Sequence, residues 1–249
     1  MIHLYGLVIG IAIITGLWLM EIQAKRYQVS SDNFYKLSWI ILFGGIVGAR
    51  LYHIATDFYL YQHQLLDIFK VWQGGMSIIG GVMGGVLSVW AFLRFSSLGK
   101  KINLAMILDL SVFGLPVAQA IGRCGNFFNQ ELYGLPTQLP WKIYIEPAYR
   151  LIGYEQFSYF QPLFLYEMIL MLLFAGGVWW GQKQSWLSGF SIGSGRLFYL
   201  YIYYYSFIRF WLDFIRIDKT HFFNTNLGLN QAFLLLVMVI TICFLRKKK

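Results

Sequence analysis

The chain has 249 residues, of which 58% are hydrophobic and only 12% are charged. Soluble domains carry roughly 25% charged residues, so these side chains are too few to cover a folded chain of this length in water. The mean hydropathy of +0.57 favours a membrane protein instead. The formal net charge of +9 does not indicate nucleic-acid binding, because Lys and Arg are scattered at the ends of apolar segments rather than gathered into one patch.

Apolar segments predict an all-α, polytopic membrane protein with about seven transmembrane helices, since runs of about 20 apolar residues cross a bilayer. We expect a single transmembrane domain over residues 1–249, and a first span that is retained, because no basic segment precedes it. The predicted spans are residues 1–20, 37–55, 76–93, 102–121, 162–180, 197–215 and 229–245.

The distribution of Lys and Arg predicts the orientation of these helices. With the N-terminus outside and the C-terminus in the cytoplasm, twelve basic residues lie on the cytoplasmic side and six on the outer side, as the positive-inside rule requires. Two longer connections, roughly residues 57–75 and 123–161, then both face outward. Long connections in a compact protein are usually functional, so we expect the active site at this surface.

Pairs of glycines four residues apart occur in the second and third predicted spans. This spacing lets two helices approach closely in a membrane, and packing is a simpler interpretation than chemistry. The pairs are Gly44 and Gly48, Gly80 and Gly84, and Gly81 and Gly85.

Ionisable side chains inside the predicted spans are functional candidates, because each costs about 2.5–3.5 kcal/mol to insert. Arg209, Asp213 and Arg216 follow one helix face at i, i+4 and i+7. We interpret them as an intrahelical Arg209–Asp213 pair that leaves Arg216 facing the outer connections. A purely structural role between helices remains open for the others, which are Arg50, Asp109 and Glu167.

The densest polar cluster begins at Gly122, where the fourth span meets the outer connection. A fixed cation flanked by amides and glycines suits a phosphate headgroup, since a guanidinium can bind phosphate through two hydrogen bonds. A polar helix-to-loop turn would use the same residue types and stays the alternative. The candidate residues are Arg123, Asn126, Asn129, Glu131 and Gly134.

Two further residues near the start of the first span have polar side chains. His3 can accept a proton near neutral pH, and Tyr5 follows two residues later. An interfacial position without chemistry is the simpler interpretation of His3. No Cys/His pairing has zinc-ligand spacing, and no nucleophile-elbow motif occurs.

Several stretches resemble, in order, the motifs of the prolipoprotein diacylglyceryl transferase family. The resemblance covers nearly the whole chain, and the stretch from Arg123 is its most specific part. The stretches are His3-Leu-Tyr-Gly6, Gly48-Ala-Arg-Leu51, Gly74-Gly-Met-Ser-Ile-Ile-Gly-Gly81, Arg123-Cys-Gly-Asn-Phe-Phe-Asn-Gln-Glu-Leu-Tyr-Gly134, Pro162-Leu-Phe-Leu-Tyr-Glu167 and Arg209-Phe-Trp-Leu-Asp-Phe-Ile-Arg216.

This resemblance implies an enzyme of the bacterial cytoplasmic membrane that acts without metal or organic cofactor. Such an enzyme transfers a diacylglyceryl group from phosphatidylglycerol to the lipobox cysteine of a preprolipoprotein. A thioether forms and glycerol 1-phosphate leaves. The implied partners are phosphatidylglycerol, the lipobox segment of the signal peptide and the bilayer, and we expect a monomer.

The resemblance also implies roles for individual residues. Arg123 would hold the lipid phosphate, with Asn126, Asn129 and Gly134 shaping the headgroup site. The residues expected to take part in catalysis are Tyr5, Arg216 and Glu131.

The chain departs from the family pattern at the position of the proposed base. Some members carry His where this chain has Ile79, which cannot accept a proton. Either His3, Tyr5 or Glu131 replaces it, or the substrate thiol ionises without a dedicated base. A thiol with a pKa near 8.5 is already a few per cent thiolate at neutral pH.

Two other functions are alternatives to the transferase. A small transporter could use the buried charges as a pathway, although transporters commonly show internal repeats and this chain shows none. A non-catalytic lipid-binding paralogue would be expected to have lost Arg123 or Arg216, and both are present.

Overall fold

A computed structural model of the chain describes residues 4–62, 64–184, 189–217 and 228–246. These residues form eight α-helices and two short strands. The helices are α1 (Leu4–Arg26), α2 (Ser31–Thr56), α3 (Ile78–Phe95), α4 (Leu104–Ser111), α5 (Leu115–Phe128), α6 (Leu163–Lys183), α7 (Arg196–Leu212) and α8 (Leu229–Arg246), and the strands are β1 (Ile143–Tyr144) and β2 (Tyr159–Phe160).

The prediction of a membrane-spanning protein is confirmed, and each predicted span coincides with one or two helices of the structure. Within the described ranges, α1, α2, α3, α6 and α8 are long and apolar enough to cross a membrane, and α4 with α5 adds a sixth if the bent pair is one span. The remaining predicted span coincides with α7, which has 17 residues. The protein is therefore an all-α, multi-pass membrane protein, and the total of about seven spans stays a prediction.

Contacts divide the chain into two compact units, one of Met1–Met20 with Leu108–Lys249 and the other of Glu21–Ile107. In the second unit, α2 and α3 pack together through their glycines. A Cβ atom added to Gly48 would lie 2.5 Å from the carbonyl oxygen of Gly80, and one added to Gly84 would lie 2.3 Å from that of Gly44. The predicted packing role of these glycines is confirmed, and the structure identifies α2 and α3 as the two partners.

Arg50 organises the connection that follows α2 in the same unit. It is buried, and its guanidinium donates hydrogen bonds to the backbone carbonyls of Asp67, Ile68, Gly74 and Gly75. Carbonyl oxygens that would otherwise lack a partner near the membrane are satisfied in this way. The contacts of this charge are therefore structural.

The predicted fourth span, residues 102–121, is not one straight helix. The chain bends by 51° between α4 and α5. Gly114 lies at the break, directly against α1, and a Cβ there would be only 2.0 Å from the carbonyl oxygen of Gly16. Pro116 in the first turn of α5 also favours a new helix start, since it lacks the N–H that continuous helix would need.

Asp109 fixes the start of α7 within the first unit. Its carboxylate is fully buried and accepts hydrogen bonds from the backbone N–H groups of Gly193, Gly195 and Phe198 at 2.9, 2.8 and 3.0 Å. The first N–H groups of a helix have no partner inside the helix. Asp109 lies in α4 and supplies the hydrogen-bond acceptor for the N–H groups at the start of α7, so its role is structural.

The connection between α5 and α6 forms a small ordered segment. Strands β1 and β2 pair antiparallel, and Tyr133, Ile145 and Phe160 make an apolar cluster beneath them. Arg150 binds the carbonyl oxygens of Ile145 and Glu155 at 2.9 and 2.8 Å. This segment therefore has a core of its own, which fixes the residues that follow α5.

Candidate active site

Helix α5 continues through Phe128, so the polar cluster that starts at Gly122 begins on a helix. Arg123 and Asn126 are three residues apart and therefore lie on the same helix face. Arg123 Nη1 donates to Asn126 Oδ1 at 3.1 Å. The helical geometry brings the predicted cation and the first predicted amide into direct contact.

Glu167 connects this pair to a second arginine. Its carboxylate is fully buried in α6, and its two oxygens bind different guanidinium groups. Oε1 pairs with Arg123 Nη2, and Oε2 pairs with Arg209 Nη1 of α7 at 2.8 Å.

The predicted Arg209–Asp213 pair is wrong. Arg209 binds Glu167 instead, and the Asp213 carboxylate lies 4.0 Å from Arg216 Nη1. Asp213 Oδ1 is also 3.4 Å from the amide nitrogen of Asn230. The prediction failed because the i, i+4 spacing allows an intrahelical pair but does not require one, and the Glu167 carboxylate of a neighbouring helix lies 2.8 Å from Arg209 Nη1.

Glu131 receives the amides of both predicted asparagines. Its Oε1 accepts hydrogen bonds from Asn126 Nδ2 at 2.9 Å and from Asn129 Nδ2 at 3.3 Å. The residues on either side of it, Gln130 and Leu132, have φ angles of 51° and 56°. Left-handed backbone at non-glycine residues is costly and persists where surrounding contacts impose it, so the chain is bent tightly around this carboxylate.

Gly134 and Arg216 meet through their backbones in an isolated antiparallel bridge. The N–H of the next residue, Leu135, donates to the carbonyl oxygen of Ile215 at 2.9 Å. A Cβ at Gly134 would lie 2.8 Å from the same oxygen. A side chain at Gly134 would therefore separate the segment after α5 from the end of α7.

Tyr5 directly contacts α5, the helix that carries Arg123. Its ring covers Gly125, where an added Cβ would lie 2.7 Å from Tyr5 Cδ2. His3, a candidate base, lies outside the described residues. Ile79 is exposed at the start of α3 and carries no group that could accept a proton.

A comparison with known protein families identifies the family of this chain. A family profile described as prolipoprotein diacylglyceryl transferase matches residues 1–246. The chain belongs to the prolipoprotein diacylglyceryl transferase family. It is thus a membrane-embedded transferase of lipoprotein biosynthesis.

Relatives named phosphatidylglycerol–prolipoprotein diacylglyceryl transferase occur in several bacteria. One from Cutibacterium acnes is 38% identical over 227 residues, which cover 88% of this chain and 72% of the relative. One from Bifidobacterium adolescentis is 36% identical over 255 residues, covering 96% and 74%. Another from Acaryochloris marina is 35% identical over 218 residues, covering 88% and 77%. These relatives favour neither the transporter nor the non-catalytic alternative.

The sequence does not place Glu167 or Arg209 in the site, although both are charges inside predicted spans. Glu167 pairs with residues 44 and 42 positions away along the chain. A lone carboxylate in an apolar segment signals that it needs a partner, and the family-like Pro162–Glu167 stretch is a second signal. Neither signal identifies which arginine that partner is.

Proposed function

We infer that Arg123 binds the lipid phosphate while this protein carries out the reaction of its family. The protein transfers a diacylglyceryl group from phosphatidylglycerol to a cysteine thiol of a lipoprotein precursor. The observation that supports the role of Arg123 is its position. It is held by Asn126 and Glu167 in the C-terminal half of α5, and its side chain keeps 24% of its surface exposed.

The transfer forms one bond and breaks another. The cysteine sulfur, as thiolate, attacks the terminal carbon of the diacylglyceryl group, and the bond from that carbon to the phosphate oxygen breaks. The electron pair of the broken bond stays on that oxygen, which leaves as part of glycerol 1-phosphate. Fixed cations around the phosphate stabilise the negative charge that develops there. In this proposal Arg123 supplies the first cation and Arg216 the second.

The remaining predicted residues complete the headgroup site. Asn126 and Asn129 are fixed by Glu131, and Gly134 holds the segment against the backbone of Arg216. Glu131 is exposed and binds both amides through one oxygen, which leaves the other to meet a substrate. Glu131 and Tyr5 are the candidate proton acceptors in the described chain, and the thiol can also ionise without one.

We further place the site at the outer face of the bacterial cytoplasmic membrane. The N-terminus would then be outside, the C-terminus cytoplasmic, and the protein monomeric. The acceptor would be the lipobox of a precursor that is itself inserted in the membrane. Both substrates would reach the site from the bilayer, because one is a membrane lipid and the other is inserted in the membrane.

Removal of Arg123 tests this function. With purified protein, phosphatidylglycerol micelles and a lipobox peptide, mass spectrometry should show a diacylglyceryl adduct on the peptide cysteine. We expect Arg123→Ala to lower turnover by about 10²–10³-fold or more, as when one donor to a transition-state charge is removed. Arg123→Lys should also be impaired, because an ammonium cannot bind phosphate in the bidentate way.

Arg94→Ala is the matched control, since Arg94 is exposed at the end of α3, and it should retain near-normal turnover. Near-normal turnover of folded Arg123→Ala would refute the phosphate role. A folded wild-type protein that forms no adduct would refute the transfer itself.

A further inference from the structure

The carboxylate of Glu167 is shared by two arginines from two other helices. We propose that Glu167 is a positioning residue that fixes Arg123 and limits the charge of the phosphate site, so that the site prefers a singly charged phosphodiester over a doubly charged phosphate monoester. This inference rests on the proposed function, because it assumes that the site binds the donor lipid through Arg123. It assigns the selectivity of the site to a residue that contacts no substrate.

The geometry supports a positioning role. Each oxygen of the fully buried carboxylate binds a different guanidinium, Arg123 through Oε1 and Arg209 through Oε2. Neither arginine can turn away without leaving a buried carboxylate oxygen unpaired, which is strongly unfavourable. The orientation of Arg123 is therefore set by α6 and α7 together, before any lipid binds.

The two arginines are not equally accessible. The side chain of Arg209 is 11% exposed and that of Arg123 is 24% exposed. Arg123 is thus the arginine that can still bind an anion, while Arg209 mainly holds Glu167 in place.

The charge count of the cluster gives its selectivity. Two guanidinium groups and one carboxylate leave a net charge of +1 at a largely buried site. Asp213 and Arg216 contribute one charge of each sign. Glu131 is nearby, but it is exposed and therefore far more screened by water and salt than Glu167 is.

This charge matches the donor better than it matches the product. Phosphatidylglycerol is a phosphodiester with a single negative charge, whereas a phosphate monoester carries about −1.5 to −2 at pH 7. Glycerol 1-phosphate is such a monoester. A cluster of net charge +1 neutralises the donor. The second charge of the product would have to leave water without a compensating partner, and this desolvation cost exceeds its added attraction to the cluster. The product is therefore released after transfer.

Two substitutions separate the effect of the negative charge of Glu167 from the effect of the length of its side chain. Glu167→Gln keeps the shape of the side chain and raises the charge of the cluster from +1 to +2. Glu167→Asp keeps the charge, but its shorter side chain cannot reach both arginines. Glu21→Gln is the matched control, because Glu21 is a buried carboxylate of the other unit that pairs with Lys25 at 2.9 Å.

The experiment measures inhibition of peptide lipidation by two lipids with the same acyl chains. Phosphatidylmethanol is a singly charged phosphodiester, and phosphatidic acid is a phosphate monoester. In the wild type and in Glu21→Gln, phosphatidylmethanol should inhibit more strongly. In Glu167→Gln, the ratio of the two inhibition constants should shift by about tenfold toward phosphatidic acid, because an added buried positive charge attracts the second negative charge.

Glu167→Asp should lower kcat and leave the ratio of the two inhibition constants unchanged. If Glu167 were only structural, the Asp and Gln variants would not differ in this ratio. Size-exclusion chromatography and thermal unfolding establish that each variant is folded. An unchanged ratio in folded Glu167→Gln would overturn the proposal. The proposal would also be overturned if phosphatidic acid inhibited the wild type more strongly than phosphatidylmethanol does. This second test needs no variant, so it decides the question even if Glu167→Gln does not fold. Failure of the wild type to use phosphatidylglycerol would instead overturn the proposed function.

Discussion

Three arginines inside the predicted spans contact different partners, and those partners decide what each side chain can do. Arg50 is bound by backbone carbonyls of the connection that follows its own helix. Arg209 is nearly covered and binds Glu167. Arg123 shares Glu167 but stays partly exposed. A charge inside a span is a functional candidate by default. Arg123 differs from the other two arginines because its side chain stays partly exposed after its structural contacts are made.

Tyr5 offers a test of a single hydroxyl group. Its ring covers Gly125, so the ring and the hydroxyl can have separate roles. We expect Tyr5→Phe to lower turnover by about 10²-fold, as for loss of one group in proton transfer, without a change in Tm, because the ring contact remains.

Turnover and thermal unfolding of Tyr5→Phe measure the two effects separately. Tyr199→Phe is a suitable control, since the ring of Tyr199 stacks on Phe244 in another part of the same unit. Full activity of Tyr5→Phe would mean that Tyr5 contributes only its ring.

At the scale of elements, glycines allow backbones to approach where a side chain would prevent it. The contact of Gly114 with α1 accompanies the break between α4 and α5. The glycines of α2 and α3 bring those two helices into backbone contact. In a membrane, such packing replaces the hydrophobic effect as the force that joins helices.

We expect Gly84→Ala to destabilise the protein by about 1–3 kcal/mol or more, because its Cβ would lie 2.3 Å from the carbonyl oxygen of Gly44 and backbone cannot move aside easily. Thermal or denaturant unfolding in detergent measures the change. Gly176→Ala in α6 is the control, since an added Cβ there meets nothing within 4 Å. Equal stability of the two variants would contradict close packing of α2 on α3.

At the scale of the whole molecule, the asymmetry of Lys and Arg predicts that the α5–α6 connection and the end of α3 lie on opposite sides of the membrane. Ile152 is 94% exposed in that connection, and Lys100 lies in the short 3₁₀ turn after α3. Both positions can carry a reporter without disturbing buried contacts.

In a variant with Cys124 and Cys243 replaced by Ser, a membrane-impermeant maleimide should label Ile152→Cys in intact spheroplasts. It should label Lys100→Cys only after the membrane is permeabilised, because Lys100 is predicted to be cytoplasmic. Labelling of Lys100→Cys in intact spheroplasts would reverse the proposed orientation.

The sequence by itself determined the class of the protein, the positions of its helices, the packing role of the glycine pairs and the polar cluster from Arg123 to Gly134. These properties depend on local composition and on spacing along one helix, so they can be predicted without knowledge of neighbouring elements. The sequence also marked the charged residues that must have partners inside the membrane. It could not identify those partners.

Only the tertiary structure decided that Arg209 binds Glu167 rather than Asp213, that Glu167 also binds Arg123, and that Gly134 meets the backbone of Arg216. It likewise decided that Asp109 binds the start of α7. The physical reason is that a buried charge takes the best-fixed partner among all neighbouring elements. The arginines lie 44 and 42 residues from Glu167 in the chain, and only folding brings them to one carboxylate.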